Sequence, residues 1–398
     1  MSGAAAPTVC CREIGRSTKP ALVPALPRII GAWIAFSLAV WALQEVPRGH
    51  GFVSLVLVLL VMASLPWLAA NARRHRAQSG SGGERLLFAG VALFALGQIV
   101  FAILRALKPK VIDIADTTLA ALKALAGGGN PYALPIDPMA GGIANAAPLL
   151  HGYKYLPLMI AAYAPLGLPF GAPGIVLTNL LLHAATAALL GLLAARTSRA
   201  AGLAVALFYL SQAFLAHQLM TRGVNDLVAV LPLLAALSLV ETRPGWTGFL
   251  VGLSIAAKLM PGLVALICLL PAPDGRARYA GGIALGLLPI LPFLVWGPEA
   301  FLANILLFNA IRPVDDTAWL YGLPAPAAIL ARGVAVVALG AIAWRVARHP
   351  PALEQRCALL VLAILCVFAV GPDMHHNYYL WFIPPLALLA GRAALGEP

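Results

Sequence analysis

The chain is poor in charge. Only 11% of its 398 residues are Asp, Glu, Lys or Arg, whereas soluble domains carry roughly 25%. That scarcity excludes a soluble multidomain enzyme. It also has few cysteines: five, at 10, 11, 268, 357 and 366, none at metal-ligand spacing. The sequence therefore offers neither a disulfide framework nor a zinc motif. Acidic residues number 15 against 27 Lys and Arg, but with no soluble domain to carry a basic face the surplus does not indicate nucleic acid. Alternation of apolar and polar residues is missing from runs such as Phe52–Leu60 and Leu263–Leu270, which argues against an outer-membrane barrel. The 37 glycines and 32 prolines follow no period, which excludes a collagen-like chain.

What is present is apolar sequence, 61% of the chain. A spanning helix needs about 20 apolar residues. The runs Ile29–Val46, Phe52–Ala70, Leu86–Leu107, Gly174–Ala195, Ala200–His217, Val224–Val240, Ala280–Val295, Pro324–Trp344, Cys357–Gly371 and Tyr378–Leu389 read as membrane helices. Trp246–Leu270 is interrupted by Lys258 and Pro261. The fold class expected is an all-α polytopic membrane protein of about twelve helices, two of them short and hinged at Lys258–Pro261. Its parts are a basic tail (1–28), an N-terminal hairpin (29–70), and a larger membrane domain (86–398) with an outer loop (108–173).

Loop charge orients these spans. With the tail before Ile29 inside, the loops holding Arg73 and Arg85, Arg196 and Arg199, Arg243, Arg276 and Arg278, and Arg345 to Arg356 fall inside as well. This holds only if Trp246–Leu270 goes out and returns. Leu156–Phe170 then stays at the outer surface. Most acidic residues fall outside: Glu45, Asp113, Asp116, Asp137, Asp226, Glu299, Asp315, Asp316 and Asp373. So do the polar clusters His151-Gly-Tyr153-Lys154, Thr221-Arg222-Gly-Val-Asn225-Asp226, Lys258, and Asp373-Met-His375-His376-Asn377. Ionisable groups at membrane depth are costly, and a functional site is the default explanation.

Each cluster has a plain alternative. Asp113 and Asp116 open a short amphipathic helix with Leu119, Leu122, Leu125 and Ala126 at helical spacing and Gly127 after it, so they read as N-terminal capping carboxylates or as a general base. Lys258 reads as a snorkelling lysine or as the partner of a phosphate. Arg222 and Asp226, four apart, read as a helical ion pair or as site residues. Tyr378, Tyr379 and Trp381 fit an interfacial belt, while His375 and His376 are suited to binding phosphate oxygens.

Four stretches together resemble a known family. They are Asp113-Ile-Ala-Asp-Thr with the later Gly-Gly-Gly-Asn130-Pro-Tyr132, Tyr153-Lys-Tyr-Leu-Pro157-Leu, Gly248-Phe-Leu-Val-Gly252 running to Lys258-Leu-Met-Pro261, and His376-Asn-Tyr-Tyr-Leu-Trp-Phe-Ile-Pro384. They resemble the polyprenyl-phosphate-sugar-dependent glycosyltransferases of family 87 (DUF2029), within the GT-C superfamily. The acidic loop here follows the third apolar span rather than the first, Thr117 replaces a frequent aromatic residue, and Leu156 replaces one proline. The hairpin 29–70 is then an addition.

The resemblance implies an inverting transferase that moves a hexose or pentose from a polyprenyl-phosphate donor to a lipid or glycan acceptor. Asp113 would be its base, with Asp116 second. Lys258, Arg222, His376, His375 and Lys154 would hold the donor phosphate. Tyr132, Asn130, Tyr153 and Asp226 would contact sugar or acceptor. No divalent metal and no other cofactor is implied. The setting implied is a bacterial cytoplasmic membrane, with both termini inside and the site outward. A secondary transporter or lipid-linked sugar flippase fits the same span count, though no internal repeat is evident and the polar residues gather on one face.

Overall fold

The computed structural model describes residues 29–37, 82–137, 146–313, 322–371 and 375–395, with the single residues 140, 143, 318 and 320. Among them the chain is helical, with no strand. The helices are α1 (29–37), α2 (Gly82–Leu107), α3 (Asp113–Ala126), α4 (Pro157–Phe170), α5 (Ala172–Ala195), α6 (Arg199–Leu210), α7 (Leu227–Leu239), α8 (Pro244–Ala257), α9 (Leu259–Cys268), α10 (Arg276–Gly286), α11 (Ala325–Arg348), α12 (Leu353–Val370) and α13 (Tyr379–Ala394). Of the expected N-terminal hairpin, the part beyond residue 37 and the tail 1–28 lie outside the described residues.

Five described segments are long and apolar enough to cross a membrane, or six if the bent pair Arg199–Leu210 and Ala213–Arg222 is one span. The expected count of about twelve membrane helices, two of them short, is not confirmed among the described residues. The reason is length and burial. α7 has 13 residues, about 20 Å at 1.5 Å per residue, against a hydrocarbon core of about 30 Å. Eight of its residues are buried inside the protein and the other five are half-buried, so none is fully exposed. α9 is shorter still, with 10 residues. The expected single span Ala200–His217 bends by 55°. At that bend the Ser211 hydroxyl and the Gln212 amide both donate to the Phe208 carbonyl, competing with the helix ladder.

Lys258 breaks the helix as its position implies. α8 stops at Ala257, Lys258 is extended (φ −149°, ψ 125°), and α9 starts at Leu259. The chain then doubles back. A Cβ on Gly262 would stand 2.5 Å from the Ile255 backbone nitrogen, whereas in one straight helix these positions are about 10 Å apart. α10 returns to pack parallel on α8. Gly248 abuts the Tyr279 carbonyl, Gly252 abuts Ile283 and Gly286, and Gly282 abuts the Gly245 carbonyl, so residue numbers rise together along both helices. Only glycine permits this approach, the small-residue packing used between membrane helices. Consecutive-but-one helices can run parallel only if the one between them returns. Arg243, Arg276 and Arg278 therefore share one end of the bundle.

That basic end is also a helix-capping layer. Arg196 donates both terminal nitrogens to the Ser238 carbonyl, Arg276 donates to Ala347, and Arg356 donates to Cys268 and Leu270. These carbonyls lie at helix C-terminal ends, where four acceptors lack intrahelical partners. Arg392 pairs with Glu354 there as well. The opposite end carries α3 and α4 in the connection between α2 and α5. α3 packs its Ala115, Thr118, Ala121 and Leu122 face inward, with Leu119 and Leu122 against Gly167 of α4, while Ala126 is exposed. α4 turns into α5 at Gly171 (φ +62°). The two ends therefore match the alternation of basic loops and polar clusters along the sequence.

Candidate active site

At the end opposite the arginine layer, the first residues of α7, α9 and α13 meet. Asp226, just before α7, is fully buried. Its Oδ1 accepts hydrogen bonds from Lys258 Nζ (2.6 Å) and Trp381 Nε1 (2.5 Å), and its Oδ2 accepts one from Asn377 Nδ2 (2.7 Å). A carboxylate at a helix N-terminus is also favoured by the helix dipole. Lys258 Nζ stands 5.1 Å from the Tyr378 ring centre, 5.5 Å from Trp381 and 5.6 Å from Tyr155. The ammonium thus sits in an aromatic cage closed by one carboxylate, an arrangement that holds a cation out of bulk water. The expected pairing of Arg222 with Asp226 does not form. Gln218–Arg222 is a π-helical turn that ends at Gly223 (φ +72°), so the two residues do not share a helix. Arg222 is exposed, and its carbonyl accepts from Ile112 at the start of α3.

Beside the cage, Tyr155 links the acidic helix to Lys258. Burial holds its phenol well above the ordinary tyrosine range; Tyr153, Asp226 and Asp113 add to this and Arg312 opposes it. The link is geometric: Thr118 of α3 lies 3.1 Å from the Tyr153 hydroxyl, and the Tyr153 ring lies 5.5 Å from Tyr155. Asp113 and Asp116 are both exposed. Neither caps α3: the N-cap is Ile112 and makes no side-chain bond. Thr117 donates to the Asp113 carbonyl, which leaves the carboxylate clear of that bond.

Arg312 Nη2 donates to His375 Nε2 (3.0 Å), and the His375 ring lies 5.7 Å from Tyr378. His376 begins the one-turn helix before α13, and its side chain lies outside the described residues, as do Asp373, Asp315 and Asp316.

The remaining expected site residues serve the walls. Tyr132 is buried, donates its hydroxyl to the Tyr155 carbonyl (2.8 Å) and packs on Phe293 and Phe301. Tyr153 is buried with its hydroxyl 3.1 Å from Thr118. Asn130 folds its Oδ1 onto the Tyr132 N–H (3.0 Å), a turn device. Lys154 donates to the carbonyls of Gly152 (2.9 Å) and Leu150 and to Asn304 Oδ1 (2.7 Å), above the Phe308 ring. Burial lowers its ammonium to about 8, against the opposing pull of Asp137. Among the described residues no group of three or more His, Cys, Asp or Glu is placed to hold a metal.

Sequence reading missed Tyr155, Arg312 and the functional face of Tyr378 and Trp381. Tyr379, their belt companion, packs inward on Phe214 and Phe382. The available signal was spacing: Asn377, Tyr378 and Trp381 recur at helical intervals, and they converge on the Asp226–Lys258 pair.

The architecture is that of a polytopic membrane protein with a cluster of ionisable and aromatic side chains at one end of its helices. The model of glycosyltransferase family 87 matches residues 153–372, more than half the chain, so the protein belongs to that family and is a membrane glycosyltransferase. The matched segment contains Asp226, Lys258 and Arg312; α3 with Asp113 precedes it, and His375 and His376 follow it. No curated protein and no solved structure matches the chain.

Proposed function

We propose that the enzyme transfers a sugar from a polyprenyl-phosphate donor to a lipid or glycan hydroxyl at this cluster, with Asp113 as general base and no metal. The carrying observation is the exposed Asp113 carboxylate at the start of α3, the helix that is tied to the caged Lys258 through Thr118, Tyr153 and Tyr155. The acceptor oxygen attacks the anomeric carbon as its proton passes to Asp113, and the sugar–phosphate C–O bond breaks. The phosphate leaves with the electron pair, and the anomeric centre inverts. Phosphate is already a good leaving group, so orientation and a carboxylate suffice. Lys258, and Arg312 with His375, supply positive charge on the leaving side. Arg222, which borders α3, serves the same anion from the rim, and His376 adjoins His375 in sequence. Asp226 contributes through Lys258. The cluster faces the exterior of the cytoplasmic membrane, because the opposite end carries the arginines. Asp113→Asn in membranes supplied with labelled polyprenyl-phosphate sugars tests this. Transfer is expected to fall by about 10²–10⁴-fold with intact expression; unchanged transfer removes Asp113 from the role.

A further inference from the structure

Among the described residues, Arg332 is a charge set inside a candidate span. It sits seven residues into α11, about 10 Å below its start at the end that carries the cluster. α11 is a candidate span of 24 residues, most of it facing outward: Ile329, Leu330, Val334, Val336 and Val337 are 56–71% exposed. Arg332 is not on that face. It continues the inward stripe of Ala335, Leu339, Ile342 and Val346, of which Ala335, Ile342 and Val346 are buried. The residue is half-buried, its Nε is buried without a hydrogen-bond partner, and no ion pair to it is found among the described residues. A snorkelling arginine would lie on the lipid face with its nitrogens in water. A guanidinium with a buried, unpartnered nitrogen at the edge of that inward stripe, inside a spanning helix, is costly unless something anionic joins it.

The register says where that anion would lie. α11 and α12 form a hairpin turned at residues 349–352, so Arg332 is level with Phe368 and Ala369. The Phe368 ring packs on Tyr378 (5.9 Å) and Trp381 (5.4 Å), the two rings that α13 and its lead-in contribute to the Lys258 cage. By this register Arg332 lies at the level of Phe368, whose ring packs on two members of the cage, on a helix with an exposed apolar face.

From this we infer that Arg332 is a phosphate anchor for a membrane-embedded lipid, and that the lipid is the polyprenyl-phosphate donor entering sideways past α11. A guanidinium suits this task because its planar fork binds phosphate oxygens bidentately. The inference rests on the donor chemistry proposed above. Arg332 is a positioning residue: it holds the phosphate before Lys258 does and takes no part in proton transfer.

The test is binding of a polyprenyl monophosphate to full-length protein in nanodiscs of neutral phosphatidylcholine, for wild type, Arg332→Leu, Arg332→Gln and Arg332→Lys. Wild type is expected to bind. The Leu and Gln variants should lose about tenfold or more in affinity, the scale of a lost charged hydrogen bond, and Lys should recover part of it. In transfer assays the same variants should raise KM for the donor more than they lower kcat. If wild type binds and Arg332→Leu binds equally well, the inference fails while the donor reading stands. If wild type does not bind at all, the donor reading itself fails, and this inference with it. Native mass spectrometry gives a further arm: loss of a retained phospholipid from Arg332→Leu, with polyprenyl-phosphate affinity unchanged, would assign the arginine to a structural lipid and overturn the donor route.

Discussion

The Asp226–Lys258 pair makes a quantitative prediction. Asp226 accepts three hydrogen bonds while fully buried, and the Lys258 side chain is 13% exposed. In Asp226→Asn one acceptor oxygen remains for Lys258 and Trp381. The new amide nitrogen faces Asn377, whose own amide can flip to accept from it. Geometry is thus largely repairable, and the uncompensated loss is the negative charge. Three rings and one neutral acceptor then hold the ammonium, each cation–π contact being worth about 0.5–2 kcal/mol. Breaking a buried pair by removing one partner costs about 3–5 kcal/mol. Thermal unfolding in detergent should show Asp226→Asn and Asp226→Leu strongly destabilised. The double variant Asp226→Leu with Lys258→Met should return most of that loss, since an apolar pair of similar volume leaves no buried charge. The recovered double variant should still fail to transfer sugar, because the cation is gone. Single variants as stable as wild type, or a double variant whose losses merely add, would refute the pairing argument.

Other outcomes follow from the same geometry. Asp116→Asn should retain more transfer activity than Asp113→Asn in parallel membrane assays, because Asp113 is the proposed base and Asp116 lies one helical turn further along α3. Lys154, lowered to about 8 when folded, binds fewer protons than the unfolded chain between about pH 8 and its ordinary range. Its burial therefore costs stability below that window, and the cost is relieved as pH rises through it. Lys154→Met should flatten this rise in unfolding scans. Gly286→Ala would put a Cβ 2.2 Å from the Phe249 carbonyl, so α8 and α10 must separate. A loss of about 1–3 kcal/mol or more is expected by thermal unfolding, and an unchanged midpoint would contradict the close parallel contact.

Much of the architecture was legible because charge is scarce here. Where only 11% of residues are charged, each Arg or Lys near an apolar run constrains which end that run starts from. The out-and-return at Lys258 followed from the basic loops on either side of it, and the parallel glycine faces of α8 and α10 carry it out. Span length was less legible. Hydropathy cannot distinguish lipid-facing from protein-facing apolar surface, so α7 reads as a full crossing although it is a 13-residue core helix. The bend after Leu210 was likewise hidden, because it arises from Ser211 and Gln212 bonding to a carbonyl three and four residues back.

The candidate site divides in the same way. Asp113, Lys258 and Asp226 stand out in sequence because ionisable groups beside membrane spans are rare and costly. Their partnership does not. Asp226 is four residues from Arg222 and 32 from Lys258, yet it binds the distant lysine because Gly223 turns the chain out of the helix. Tyr155 and Trp381 look like any interfacial aromatics until α13 and the loop before α4 set their rings about the ammonium. Sequence alone determined that the chain lives in a membrane, which ends of its helices group together, and which few charges need explaining, because each of these depends on composition and local order. The tertiary structure decided which charge meets which, and which aromatic rings enclose them, because those contacts join residues far apart in the chain and rest on packing that no local pattern encodes.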